Sequence, residues 1–337
     1  MGLDGPRLIV RVERVDPSLA ALRDEHWGRL VGDAPDVVRQ NRGLLLAYAS
    51  AFSNEQVLAS AWHGEVLAGI AVGVEDARAN GDPFFAVSFS GVFGTKHCRS
   101  IWVTDESLRP DVVPALLSAL VEHARGRGHG RILITYCASG DVVVERAASA
   151  LGFARGAPVD DYCLHYDAPH TLEQHLAALE PTERRAFRRD MRRAVEAGAR
   201  LETEFPAIPD TLARAWPLVA ELWDRKSSGF VPTGVTLFDA LRQHMRPDDL
   251  GLYLCYLGDE LVGCIFYLRS GSLTRAAYAG HRMDLEWKVH MAMLAPFIAE
   301  ELEHKATTVH LGFTNDLQKR RLGAAPSPHV HYSLRLG

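Results

Sequence analysis

The sequence repeats one pattern of apolar runs and breaks at a fixed distance along the chain. Residues 58–74, LASAWHGEVLAGIAVGV, and residues 252–268, LYLCYLGDELVGCIFYL, each break at a glycine followed by an acidic residue, then resume with G-x-x-L-x-G. The two break glycines, Gly64 and Gly258, are 194 residues apart. A two-residue break between strand-like runs predicts a β-hairpin in each half of the chain.

The segments after each hairpin recur in the same order. Each half continues with a strand-like run, a helix of apolar periodicity, a buried strand, a loop and a last strand. These segments are 84–93, 109–125, 131–137 and 150–166 in the first half, and 272–280, 285–304, 307–313 and 321–336 in the second. Because the order is kept over most of both halves, we interpret the chain as a duplication.

Length and composition agree with two domains. A chain of 337 residues with 47% apolar residues can bury two cores. We predict an N-terminal domain over 1–168 and a C-terminal domain over 169–337, with a linker at 167–183. Residues 18–52 have helical patterning and precede the first sheet.

Charge and cysteine content exclude several classes of protein. The net charge of −5 gives no surface-wide attraction to nucleic acid or anionic membrane, so a polyanion has to be bound locally. No signal core and no apolar run of roughly 18 residues is present, which makes the cytoplasm the default location and predicts no membrane span. Five cysteines without C-x-x-C spacing predict free thiols and no metal site.

Several motifs of the second half resemble those of a known family. They are the arginine-rich helix at 184–200, PLVAELWDRKSSGF at 217–230, AAYAG at 276–280 and GFTNDLQKRRLGAAPSPH at 312–329. With the duplicated element order, they resemble the Fem-type (FemX and FemAB-like) tandem GNAT-fold family. The resemblance implies an α/β fold of two tandem GNAT-like domains, each a mixed, largely antiparallel sheet flanked by helices. It also implies transfer of an amino acid from aminoacyl-tRNA to an amine.

The start of each long helix is where an acetyl-CoA enzyme of the GNAT fold carries its phosphate-binding loop. Such a loop, Q/R-x-x-G-x-G/A, binds pyrophosphate through backbone N–H groups at a helix N-terminus. RGRGHG at 125–130 matches the pattern, but it lies after a helix and before a strand, where glycines cap and turn the chain. TDESLRPDVV and GHRMDLEWKV, which precede the helices, lack the glycines and carry acidic residues. The sequence therefore disfavours a conventional CoA site.

The arginine-rich helix bears six cations on about half of its circumference. Its arginines form two rows at i, i+4 spacing, 184, 188, 192 and 185, 189, 193, beside an apolar stripe of Phe187, Met191, Ala194 and Val195. One interpretation is a solvated face with intrahelical ion pairs. The other is a surface for an anionic partner, because stacked like charges destabilise a helix. For the second, we single out Arg188 and Arg192 as substrate-binding residues.

Lys319 is the candidate catalytic residue. It is one of five lysines and lies in a predicted loop between the last two strands, where its ammonium would reach the centre of a splayed sheet. The position that matches it in the first half is Ala148. By resemblance, Lys319 corresponds to the family's late lysine, which implies stabilisation of the tetrahedral oxyanion and anchoring of the tRNA 3′ end. A solvated surface lysine is the alternative.

Other candidates for the cleft are less specific, and no general base is evident. The substrate-binding candidates are Trp223, Arg225, Lys226, Tyr278 and Arg321, each of which also fits a packing or surface role. Asp316 and His329 are close to Lys319 in sequence, but a histidine in a strand is more often structural.

The predicted function is an aminoacyl-tRNA-dependent amide-forming transferase. The partners would be the tRNA 3′ end and an amine acceptor, either a peptidoglycan precursor or an intermediate of a peptide natural product. No cofactor is expected, since the aminoacyl-tRNA is a co-substrate. The alternatives are an acyl-CoA-dependent N-acyltransferase of the GNAT superfamily, with acyl-CoA as co-substrate, and a non-catalytic tandem-GNAT binding module.

Overall fold

The structure is a computed structural model that describes residues 8–30, 35–51, 55–79, 82–87, 100–225, 234–285, 289–312 and 316–337. The chain forms two compact units, each assembled from separate segments. Unit 1 comprises residues 1–159, 228–244 and 328–337, and unit 2 comprises residues 160–227 and 245–327. The predicted boundary at residue 168 stays a prediction.

The helices and strands alternate along the chain. The helices are α1 Asp24–Trp27, α2 Pro35–Ala51, α3 Arg109–Gly126, α4 Val142–Ala150, α5 Leu172–Ala178, α6 Pro181–Glu196, α7 Pro209–Arg225, α8 Gly234–His244, α9 Val289–Glu303 and α10 Asp316–Arg321. The strands are β1 Leu8–Arg14, β2 Gln56–His63, β3 Val66–Ala79, β4 Asp82–Val87, β5 Ile101–Val103, β6 Arg131–Ala138, β7 Ala154–Arg155, β8 Val159–His165, β9 Ala199–Glu204, β10 Leu250–Leu257, β11 Glu260–Ser270, β12 Leu273–His281, β13 Thr308–Gly312 and β14 Ala325–Arg335.

Unit 1 is a mixed sheet covered by α3. Its strands lie in the order β1-β2-β3-β4-β6-β14, and only β4 and β6 are parallel. Pro110 lies in the first turn of α3, where backbone N–H groups have no acceptor within the helix, so the N–H that proline lacks is not missed. Val112, Leu116 and Leu120 repeat at four-residue spacing and are fully buried in the core beneath the sheet.

Unit 2 has the same arrangement of strands. Its order is β8-β13-β12-β11-β10-β9, again with one parallel pair, β12 and β13. Helix α9 is apolar on nearly all sides, because it packs on the sheet with one face and against α6 with another. The fold is therefore α/β, with two similar, largely antiparallel sheets, as the sequence predicted.

The two predicted hairpins are confirmed. Each turns through two residues that begin with a left-handed glycine, Gly64 at φ 61° and Gly258 at φ 60°. Gly69 and Gly263 follow at the same offset, and a Cβ on either would lie 2.7 Å or 2.6 Å from a valine of the covering helix. The G-x-x-L-x-G pattern thus brings α3 and α9 close to their sheets.

The last strand of each sheet comes from an unexpected part of the sequence. β8, predicted to end the first repeat, pairs with β13 of unit 2. β14, predicted to end the second, pairs with β6 of unit 1 through His329–Arg335. A repeat pattern shows that a strand exists but does not specify the sheet edge that it joins. The predicted linker at 167–183 contains a helix, α5, which a Thr171–Gln174 capping box begins, and its role as a linker stays a prediction.

Other expectations are confirmed only in part. The region 18–52 holds a 3-10 turn at Ala20–Leu22, α1 and α2. RGRGHG forms the end of α3 and the turn before β6, with Gly128 at φ 79°. Cys137, Cys163, Cys255 and Cys264 are free thiols, and Cys98 lies outside the described residues. No helix in the described part of the chain is long and apolar enough to cross a membrane.

Helix α7 packs with its backbone directly on β12 at Gly280, which predicts a large stability effect. A Cβ at Gly280 would lie 2.3 Å from the backbone nitrogen of Val219. We expect Gly280→Ala to lower the free energy of unfolding by about 3 kcal/mol, measured by urea denaturation. Gly130→Ala is the control, since its Cβ would meet no atom within 4 Å. Equal stability of the two variants would contradict this packing.

Candidate active site

The sheet of unit 2 opens between its two parallel strands. β12 and β13 pair only from Leu273 with Thr308 to Arg275 with His310. Beyond that point β12 continues to His281 and β13 to Gly312 without pairing to each other. A splay of this kind leaves backbone groups and side chains of both strands available to a ligand, so we take it as the centre of the site.

Lys319 lies at the end of β13. It is 4% exposed, and its Nζ donates a hydrogen bond of 2.7 Å to the carbonyl oxygen of Gly312. The predicted loop is a short helix, α10, because Asp316 in the first turn and three basic residues in the last complement the helix dipole. Burial of the ammonium excludes the alternative of a solvated surface lysine.

One aromatic ring and two hydrogen bonds hold α10 in place. Tyr162 of β8 is fully buried, with Lys319 Nζ 5.7 Å and the Arg320 guanidinium carbon 5.4 Å from its ring centre. Arg320 also donates to the Tyr162 hydroxyl at 3.1 Å and to Asp160 at 3.1 Å. These cation–π contacts and hydrogen bonds restrict the backbone on which Lys319 sits.

Helix α5 packs beneath the end of α10. Gly323, in the left-handed conformation at φ 85°, is so close that a Cβ on it would lie 2.8 Å from Leu179 and 3.1 Å from the His175 ring. The Tyr166 hydroxyl and His175 Nδ1 are 2.7 Å apart. Burial lowers the pKa of His175 to about 4, so its imidazole is neutral at pH 7.

The depressed pKa of His175 predicts a loss of stability in acid. Between its unfolded pKa of 6.5 and its folded value of about 4, only the unfolded chain binds this proton. His175 therefore stabilises the fold fully above pH 6.5, and this contribution is lost as the pH falls to 4, by about 3 kcal/mol. Urea unfolding of His175→Leu should show a pH profile flatter by that amount. His304→Gln, at an exposed histidine, should follow the original profile.

Ala148 occupies in unit 1 the helical position that Lys319 occupies in unit 2. The carbonyl of Ala148 accepts a 3.0 Å bond from the N–H of Phe153, and that of Lys319 accepts a 3.0 Å bond from the N–H of Ala324. A left-handed glycine lies four residues after each, Gly152 at φ 84° and Gly323 at φ 85°. Of the described repeats, only that of unit 2 has an ammonium at this position.

Helix α6 presents an arginine surface in the same unit. An open depression of about 460 Å³ is lined by Thr182, Arg185, Ala186, Arg188, Arg189 and Arg192. Arg192 has no acidic partner among the described residues, and Arg188 has an exposed one, Glu173 at 3.5 Å. Exposed pairs of this kind contribute little energy. The surface is therefore available to an anion.

Two details of α6 differ from the sequence prediction. Val195 belongs to the predicted apolar stripe but is 70% exposed, since it lies near the end of the helix beyond the core. Arg184 does not belong to the open surface, because it donates to the carbonyls of Ala177 and Leu179. Phe187 is buried as predicted.

The remaining predicted substrate-binding residues are partly described. Tyr278 lies on the splayed part of β12, half-buried, with its ring 5.7 Å from Trp216 and 5.9 Å from Phe266. Arg321 is exposed at the end of α10. Trp223 and Arg225 lie in the last turn of α7, where only the backbone is described, and Lys226 lies outside the described residues. Their roles stay predictions.

Sequence reasoning missed the residues that hold Lys319. The pattern around Asp160 and Tyr162 predicts only a closing strand, and Arg320 stands out only as a neighbour of Lys319. Asp160 and Tyr162 are 160 and 158 residues from Arg320 respectively. No local spacing connects residues so distant. The sequence contains no signal for these contacts because β8, which carries Asp160 and Tyr162, joins the sheet of unit 2 and not that of unit 1.

The 3-10 turn Glu106–Leu108 that leads into α3 is capped by a side chain of the protein. Asp105 accepts hydrogen bonds of 2.8 Å and 2.7 Å from the Ser107 backbone and hydroxyl, and Glu106 lies 3.5 Å from Arg109. A carboxylate at this end of a helix occupies the place of an anionic ligand. Within the described ranges, no group of three or more metal-ligating residues is present.

Comparison with known proteins agrees with this geometry. Residues 182–319 match the family described as an acetyltransferase (GNAT) domain. The crystal structure of FemX has a TM-score of 0.59 at 14% identity, covering 97% of each chain. A tandem GNAT protein from the clavulanic acid biosynthesis pathway has 0.58 at 16%, covering 98% of this chain and 99% of that one.

A third solved structure is similar over slightly less of the chain. It is the C-terminal domain of a putative lysylphosphatidylglycerol synthetase from Agrobacterium fabrum, with a TM-score of 0.55 at 10% identity, covering 88% of this chain and 91% of that one. No curated protein matches the sequence significantly.

The chain has a tandem GNAT fold, and its residues 182–319 match a GNAT acetyltransferase domain. The likeness to FemX confirms the Fem-type resemblance at the level of the fold.

Proposed function

We propose that the protein is an aminoacyl-tRNA-dependent transferase that forms an amide between an aminoacyl group and an amine acceptor. The observation that carries the proposal is the buried ammonium of Lys319 at the opening between β12 and β13. The acceptor would be a peptidoglycan precursor or an intermediate of a peptide natural product. The cytoplasm, where charged tRNA is found, is the proposed compartment.

Lys319 supports the chemistry of ester aminolysis. The acceptor nitrogen attacks the ester carbonyl, the C–N bond forms, and the carbonyl oxygen becomes an oxyanion. Breaking the ester C–O bond then releases the ribose hydroxyl of the tRNA, which takes up a proton while the amine loses one to water. A fixed ammonium near the carbonyl stabilises the oxyanion in the transition state, where the negative charge develops. Gly312 and Tyr162 fix that ammonium.

The arginine surface of α6 supports a polyanionic donor. α6 contacts α10, so Arg188 and Arg192 lie on an element next to the one that carries Lys319 and Arg321. Arginine binds phosphate through several N–H donors, and such contacts position a nucleic acid without reading its sequence. A net charge of −5 for the whole chain makes this surface a local feature.

An acyl-CoA donor is the second candidate. The match of residues 182–319 to an acetyltransferase domain favours it. In unit 1, the carboxylates of Asp105 and Glu106 stand against it, since they lie in the turn that leads into α3, where such enzymes bind pyrophosphate. We therefore rank the tRNA donor first.

One experiment separates the two donors. The protein is incubated with a total pool of charged tRNA and a panel of amines, with and without RNase, and amide products are detected by mass. We expect products that RNase treatment abolishes. Products formed from acyl-CoA in the presence of RNase, with none from charged tRNA, would overturn the proposal in favour of the second candidate.

A further inference from the structure

Strand β6 of unit 1 contains a bulge with a strained residue. The strands β6 and β14 pair at Cys137 with Val330 and again at Ile134 with Tyr332. Between these pairs, Thr135 and Tyr136 oppose a single residue, His331. Tyr136 has φ 56°, a left-handed conformation that bulky side chains disfavour. Bulges and strained residues persist where the surrounding structure holds them, and they concentrate at functional sites.

The bulge fixes the orientation of the His331 imidazole. The backbone N–H of Tyr136 donates to His331 Nδ1 at 3.4 Å, and the two rings are 5.4 Å apart at 72°. On the other side, the N–H of Gly156 donates to the His331 carbonyl at 2.8 Å. Both the backbone and the ring of His331 are therefore held.

This contact defines which nitrogen of His331 carries the proton. A backbone N–H can only donate, so Nδ1 accepts and the proton of the neutral ring is on Nε2. Burial lowers the pKa of His331, which favours the neutral ring. Nε2 has no hydrogen-bond partner in the part of the chain that the structure describes, and His331 is only half-buried. The bulge therefore presents an oriented N–H donor on a partly exposed residue.

Unit 2 has a bulge at the matching strand, but a glycine and not a tyrosine occupies its left-handed position. The pairing of β13 with β8 shifts between His310 and Gly312, and Gly312 has φ 79°. There the left-handed position is a glycine whose carbonyl binds Lys319. Unit 1 keeps the bulge although Tyr136 makes it costly, and it has Ala148 in place of the ammonium. A neutral donor without a cation suits recognition of a ligand and not stabilisation of an oxyanion.

We propose that the bulge of Tyr136 and His331 is a binding site for a small molecule that presents a carbonyl or carboxylate oxygen to His331 Nε2–H. The oxygen is the acceptor that a lone neutral N–H donor requires. A phosphate ligand fits less well, because its charge calls for cations, and neither described residue that hydrogen-bonds to His331, Tyr136 or Gly156, is one. The proposal does not depend on the acyl donor and goes beyond the transferase function.

The test uses the full chain with ¹⁵N-labelled histidine and two probes. N-acetylglycine offers an amide carbonyl and a carboxylate, and N-acetylglycinamide offers only amide carbonyls. NMR spectra are recorded that correlate the ring nitrogens of histidine with the protons on its ring carbons. The signals of His331 are those that are missing from the spectrum of His331→Phe. We expect a saturable shift of Nε2. A response to both probes assigns the carbonyl, and a response to N-acetylglycine alone assigns the carboxylate.

Two substitutions at Tyr136 form a matched pair. Tyr136→Gly keeps the backbone N–H and the left-handed φ, so the probe-dependent shift should remain. Tyr136→Val disfavours that φ, and the shift should be lost. No saturable shift of His331 in the unaltered chain would overturn the proposal, as would an undiminished shift in Tyr136→Val.

A second measurement keeps the proposal testable if Tyr136→Val fails to fold. Binding of the two probes to His331→Phe is then followed through backbone amide shifts of the full chain. We expect no saturable response, because phenylalanine fills the position of the imidazole without its Nε2–H. Probe binding equal to that of the unaltered chain would contradict the role of Nε2.

Discussion

Lys319→Met is expected to lower the rate of amide formation about 100- to 1000-fold, with little effect on folding. Methionine keeps the length and apolar stem of lysine but removes the ammonium, so the loss reports the charge that stabilises the oxyanion. Single-turnover rates with saturating donor would measure it. Circular dichroism and urea denaturation would verify that the buried position tolerates the change.

Two further variants sharpen this test. Lys319→Arg keeps a cation but changes its shape and reach, and should recover only part of the activity. Lys305→Asn removes an exposed lysine of the same unit at a left-handed position, φ 62°, which asparagine tolerates. It should retain full activity. A Lys319→Met protein as active as Lys305→Asn would remove Lys319 from the mechanism.

Arg188→Gln/Arg192→Gln is expected to weaken tRNA binding about tenfold and to flatten its salt dependence. If each arginine contacts one phosphate, losing both should reduce the slope of log K against log salt concentration by about 1.5. Binding of tRNA measured over a range of salt concentrations gives both values. The effect should be similar for tRNAs of different sequence, because phosphate contacts carry no base information.

A control double variant separates the effect of the arginine surface of α6 from the effect of net charge. Arg214→Gln/Arg242→Gln removes two exposed arginines on α7 and α8 and changes the net charge equally. We expect its salt slope to equal that of the unaltered protein. If both double variants flatten the slope to the same extent, the attraction is a property of overall charge and α6 is not the binding surface.

The repeated elements could be predicted because their signals are local. A glycine-acid turn and apolar residues at helical spacing each act within a few residues. The pairs that begin at Gly64 and Gly258 therefore predicted the hairpins, and apolar periodicity predicted the helices that follow them. The arginine rows of α6 were visible for the same reason.

The environment of Lys319 could not be predicted, because it is built across the sequence. The lysine itself was found through its position near the end of the second repeat. Its contacts with Tyr162 and those of Arg320 with Asp160 depend on β8 joining the sheet of unit 2, and hydrophobic periodicity cannot select one sheet edge over another. The bulge at Tyr136 also left no trace, since nothing local marks a tyrosine for a left-handed conformation.

The segment composition of unit 1 has a consequence for biosynthesis. Its sheet needs the part of β14 that pairs with β6, His329–Arg335, and that part follows every residue of unit 2 in the order of translation. A nascent chain therefore has to hold the edge of β6 unpaired while about 190 residues are added, from Ala138 to His329, an interval in which exposed strand edges favour aggregation. The sheet of unit 1 can therefore be completed only after unit 2 has been synthesised. The need for chaperones should be greatest during that delay.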